Sequence, residues 1–157
     1  MPTYTVCGEI LELSKIENRY YFNLLLYFVQ ENEHKICLDE NDFIIKMYKE
    51  IAKDNVDIHC WIKWLSYDKR NFEIIRLRKK PNSDKELFVL VCASTFDKLL
   101  IARKKEDYIP VKKLIIEEQI KLYDKDEIIN IFSQTKSISI IAKGEKSTIN
   151  AGDITIK

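Results

Sequence analysis

Glycine and proline are scarce, with three of each in 157 residues. Few glycines leave few places for left-handed backbone, and no glycine-rich loop exists to cradle a phosphate with its N–H groups. Lys143 to Thr148 (KGEKST) superficially has the lysine and hydroxyl of such a loop, but lacks its first glycine and the glycine immediately before Lys146. Histidine is scarcer still, at His34 and His59. Neither lies near a glycine-flanked Ser or Cys, so no nucleophile–base pair is suggested. His34 and Cys37 are spaced H-x-x-C and His59 adjoins Cys60. Neighbours on a strand point to opposite faces, so His59 and Cys60 do not suit one zinc ion, and neither metal nor cofactor is expected.

Excess charge is also missing: 26 Lys and Arg against 25 Asp and Glu leave a net +1. No molecule-wide field draws the chain to nucleic acid or an anionic membrane, so such binding requires a local patch. Apolar runs such as Leu87 to Ala93 fall far short of a membrane span. The start, MPTYTVCGEI, lacks a basic segment followed by an apolar one and reads as no signal peptide. The cysteines at 7, 37, 60 and 92 are widely spaced among apolar neighbours, as buried free thiols of a reducing cytoplasm would be.

What is present is a 46% hydrophobic content, enough for a core, and a strongly patterned middle. In Val56 to Lys80, apolar Val56, Ile58, Cys60, Ile62 and Trp64 alternate with Asp57, His59, Trp61 and Lys63. That period of two predicts a half-buried strand. Ser66 to Asn71 supplies turn formers, and Phe72 to Leu77 returns as a second strand, completing a hairpin. Upstream, Tyr4 to Leu13 reads as a strand with a bulge at Gly8, Tyr20 to Val29 as a strand covered on both faces, and His34 to Leu38 as a short strand. Phe43, Met47 and Ile51 mark an amphipathic helix.

Three strands, a helix and two strands resemble, in order and spacing, an OB-fold, a five-stranded Greek-key barrel with a helix after its third strand. The expected fold is therefore α+β and strand-rich: an OB-like barrel over residues 1–80 and an α+β C-terminal half over 86–157, joined by the linker Pro81 to Lys85. In that second half, Leu87 to Ala93 reads as a buried strand and Asp126 to Phe132 as a short helix. Leu99 to Arg103 and Leu114 to Leu122 are ambiguous. Ser137 to Ala142 and Ser147 to Ile156 read as closing strands.

Between Lys63 and Lys80 the basic residues outnumber the acids Asp68 and Glu73, and aromatic residues lie among them. Cations for phosphates beside rings for bases are what single-stranded nucleic acid requires. The expected function is a small, non-enzymatic cytoplasmic binding protein for single strands, using Trp61, Lys63, Tyr67, Lys69, Arg70, Arg76 and Arg78. The alternative is a protein-interaction module: an accessory or inhibitory subunit of a bacterial or phage system, or a homodimer joined through apolar clusters such as Leu114 to Ile116. A weaker alternative is a metal-dependent nuclease or phosphodiesterase using the acids near Glu33, at Asp39, Glu40 and Asp42, or at Asp124, Asp126 and Glu127. Each of those groups also sits where a helix begins, and acids belong there for dipole reasons.

Overall fold

The computed structural model describes residues 2–16 and 34–135. Its centre is β1 (Thr3–Val6), followed after one residue by α1 (Gly8–Ile16). Then come β2 (Lys35–Asp39), α2 (Phe43–Ile51), a 3-10 turn at Ala52–Asp54, and α3 (Val56–Tyr67). A second 3-10 turn at Lys69–Asn71 leads into β3 (Phe72–Ile75) and α4 (Asp84–Ala93). After β4 (Leu99–Ala102), a 3-10 segment (Lys105–Val111) runs into α5 (Lys112–Glu117). The last elements among the described residues are β5 (Lys121–Asp124) and α6 (Lys125–Thr135).

The strands form one sheet in the order β3-β2-β1-β4-β5, and every pairing is parallel. Strands alternating with helices around an all-parallel sheet make a Rossmann-like α/β fold. All four residues of β1 are buried. Because successive side chains point to opposite faces, both faces of its centre are covered, as a parallel sheet requires. Strands from both sides of Pro81–Lys85 share this sheet, since β1 pairs with β4 at Tyr4↔Leu99.

This overturns the OB-like barrel and the α+β class. A barrel of that kind is antiparallel and needs the Val56–Lys80 hairpin, but Val56–Tyr67 is a helix. Its buried residues Ile58, Trp61, Ile62 and Leu65 follow the helical spacing i, i+3, i+4, i+7. The alternation from Val56 to Trp64 is real but subordinate, and α3 leaves Val56 77% exposed. Asn55 starts the helix, its side-chain oxygen accepting from the Ile58 N–H at 2.9 Å. β3 then pairs in parallel with β2, with Ile36 opposite Phe72 and Asp39 opposite Ile75.

Two more expected strands are helical. The first strand stops at Val6, and Gly8 begins α1 instead of forming a bulge. A Cβ at Gly8 would stand 3.1 Å from Ile51 Cδ1 and 3.3 Å from Met47 Sδ, so the missing side chain lets α1 approach α2. Leu87 to Ala93 belongs to α4, where all seven residues are buried. A helix enclosed on every side is apolar all round and loses the stripe that would distinguish it from a buried strand. The expected helices at Phe43–Ile51 and Asp126–Phe132 are present as α2 and within α6. The expected strands Tyr20–Val29, Ser137–Ala142 and Ser147–Ile156 lie outside the described residues. No helix among the described residues is long and apolar enough to cross a membrane.

Candidate functional site

Doubly wound folds take ligands beyond the carboxyl ends of their strands, where the strand order reverses. Here that place lies between β1 and β4, and it is occupied by the protein's own side chains. Buried Tyr48, from α2, donates its hydroxyl to the Val6 carbonyl. Buried Tyr108 donates to Cys7 Sγ at 2.6 Å. Lys85, in the first turn of α4, puts its ammonium 3.5 Å from Glu9 Oε2 and 5.6 Å from the Tyr108 ring centre. Burial pushes the Cys7 thiol and both phenols well up from their ordinary values. A thiol so held is protonated and is no nucleophile.

The acids at the same sheet edge are engaged in holding helices. Asp39 is fully buried at the end of β2 and accepts three backbone N–H bonds, from Asn41 (3.1 Å), Phe43 (3.0 Å) and Ile44 (2.7 Å). Asp124 and Glu127 cap α6 reciprocally, each side chain accepting from the other's N–H at 2.9 and 3.0 Å. Two intervening strands separate β2 from β5, roughly 14 Å at about 4.8 Å per strand spacing. Among the described residues, no three His, Cys, Asp or Glu side chains gather to hold a metal ion.

The seven residues expected to form one surface do not share one. Trp61 is 2% exposed, its ring centre 6.0 Å from that of Tyr48 in the core. Arg70 pairs with Asp68 at 2.7 Å, and this hydrogen-bonded guanidinium holds the Asp68 carboxyl below the usual range. Arg76 stands 3.9 Å from Glu40, and Arg78 lies 3.2 Å from Glu118. Lys69 is exposed in the turn after α3. Of the seven, Lys63 and Tyr67 line a common cavity.

That cavity is a cleft of about 800 Å³ between α2 and α3, lined by Lys49, Lys53, His59, Ile62, Lys63, Ser66 and Tyr67. Helical geometry explains the grouping. His59, Lys63 and Tyr67 recur every fourth residue, so they form a stripe along α3 that rises about 6 Å per step. Lys49 and Lys53 face it from the end of α2 and the 3-10 turn. Ile62, buried, makes an apolar floor, and Tyr67 is 89% exposed at the far end. Among the described residues, no carboxylate lines the cleft. Asp54 and Asp57, near the corner joining the helices, are not part of its walls. His59 was missed because Val56–Trp64 reads as a strand, and Lys49 and Lys53, on the expected helix, carried no signal of their own; the spacing 59/63/67 is visible once Asn55 is taken as a cap. Compared with known proteins, the chain matches no family model, no curated protein and no solved structure.

Proposed function

We propose that this chain is a non-enzymatic protein that binds single-stranded nucleic acid in the cleft between α2 and α3. One observation carries the reading: a concave site of about 800 Å³ with three lysines, a histidine and an exposed tyrosine, and no acid among the described residues of its walls. Lysines left without carboxylates repel one another, and a polyanion relieves that repulsion. The Tyr67 ring offers a face for a base, while the ammonium groups take phosphates. A local site of this kind needs no net charge on the whole molecule. Cytoplasmic residence is part of the proposal, supported by four free cysteines, of which Cys60 is exposed.

Fluorescence anisotropy with short labelled single strands at low salt tests the reading. The expected result is binding whose log K falls with log salt at a slope of about −2 to −3, since each neutralised phosphate of a single strand contributes roughly −0.7. The double change Lys53→Glu with Lys63→Glu abolishes it. An affinity indifferent to salt, or to that double change, refutes the proposal.

A second reading, a protein-contact module, is favoured by a groove of about 600 Å³ whose lining joins apolar Phe43, Met47, Ile51, Pro81 and Leu87 to polar and charged residues such as Glu50 and Lys80. Phe43 is exposed there, and methionine is an adaptable contact residue. Light scattering across a concentration series tests the version in which a second copy fills the groove. A mass that rises toward twice the monomer's and falls back in Phe43→Asp supports it; a monomer at every concentration removes it.

A further inference from the structure

We infer that the α2–α3 cleft recognises the phosphorylated end of a strand in preference to its interior. This rests on the nucleic-acid reading above and names the part of the strand that the cleft fits. Three features point to an end. First, the two helical walls of the cleft converge on a corner, because α2 and α3 are joined by only the turn Ala52–Asp54 and the cap Asn55. A chain running along the cleft toward that corner meets the cationic end of its lining, at Lys53 and His59. Second, the charge is graded along the cleft. Lys53 lies in the corner turn, Lys49 and His59 lie within about one helical turn of it, Lys63 about two turns away, and Tyr67 stands at the open mouth. His59 and Tyr67 are eight residues apart on α3, about 12 Å along the axis, a length suited to one nucleotide with its phosphate innermost.

Third, the number of cationic groups exceeds what a single internal linkage requires. An internal phosphodiester carries one negative charge. A terminal phosphate monoester carries about −1.5 to −2 near neutral pH, with three terminal oxygens to accept hydrogen bonds. Lys49, Lys53 and Lys63 are each a compact point charge with three donors, and His59 adds a ring donor. A monoester at the corner engages more of these groups at once than a diester can. The terminal base then lies toward Ile62 and Tyr67, and the rest of the strand leaves through the mouth.

The test is a competition series, read by anisotropy, against a labelled strand carrying a terminal phosphate. The unlabelled competitors have one sequence in four forms: a 5′-phosphate, a 3′-phosphate, hydroxyls at both ends, and a closed circle. A nucleoside monophosphate and inorganic phosphate are included as the smallest sources of the same group. The expected result is that one phosphorylated form competes at least tenfold better than the hydroxyl-ended and circular forms. Lys53→Ala and His59→Ala remove that preference while their circular dichroism matches the parent. The free nucleotide and inorganic phosphate compete more weakly, because neither continues beyond the mouth. Equal competition by circle and phosphorylated strand overturns the end preference and leaves strand binding standing. A nucleotide that matches the whole strand makes this a small-molecule site and overturns it too. Failure of every strand to bind overturns the nucleic-acid reading with it.

Discussion

Replacing Asp39 separates a structural carboxylate from a catalytic one. Its side chain accepts N–H bonds from Asn41, Phe43 and Ile44, and so holds both the turn after β2 and the start of α2. In Asp39→Ala, losing an N-terminal cap costs about 0.5–2 kcal/mol. The buried Ile44 N–H, left without a partner, adds roughly 1–3 kcal/mol. The expected loss is therefore about 3 kcal/mol, a large share of the roughly 5–15 kcal/mol that holds a typical domain. Urea denaturation measures it: with a slope of about 2 kcal/mol per molar, the midpoint falls by roughly 1.5 M. Asp39→Asn retains one acceptor oxygen and falls by about half as much. A catalytic acid held among other acids behaves oppositely, since neutralising it relieves repulsion and leaves stability unchanged or higher. An Asp39→Ala or Asp39→Asn protein as stable as the parent refutes the capping role.

Trp61→Ala empties a core position beside Tyr48, and its expected cost is about 3–5 kcal/mol by urea denaturation, against a minor change for a residue that lay on a surface. Tyr67→Ala leaves stability within about 0.5 kcal/mol, because the ring is exposed, but weakens strand binding by about 1–3 kcal/mol in the anisotropy titration if a base stacks there. Stability falls as the solution is made alkaline. Burial raises the Cys92 thiol from its ordinary 9 to about 12, so the folded state keeps a proton that the unfolded state releases. That contribution is complete below pH 9 and is lost between about pH 9 and 12, which urea midpoints at pH 8, 9 and 10 follow. At pH 8 in native buffer, a thiol reagent titrates Cys60 among the described cysteines, and Cys7, Cys37 and Cys92 react only after unfolding.

Parts of the fold were plain in the sequence. The helix at Phe43–Ile51 showed because its polar face is wet, and the short strand at Lys35–Asp39 because polar turns bound it. What misled was local ambiguity settled by distant contacts. Val56–Trp64 satisfies both a period of two and a helical stripe, and the Asn55 cap decides between them. Leu87–Ala93 carries no period at all, since α4 is enclosed by β1, β2, β4 and the Lys105–Val111 segment. Of the candidate site, Lys63 and Tyr67 survived the change from strand to helix because four residues separate them. Trp61 did not, because the phase that exposes it on a strand buries it on α3. The acid clusters were visible, and the dipole explanation offered for them agrees with the capping bonds of Asp39 and Asp124.

The position of β1 bears on how the chain is born. Its second edge stays bare until residues 99–101 exist to sit beside Tyr4, Thr5 and Val6. A ribosome releases the opening strand long before that neighbour, so the middle of the sheet closes late and across a long loop. A fragment cut at Lys80 would keep β2 and β3 yet carry an apolar, ready-to-pair border, and its expected fate is to clump.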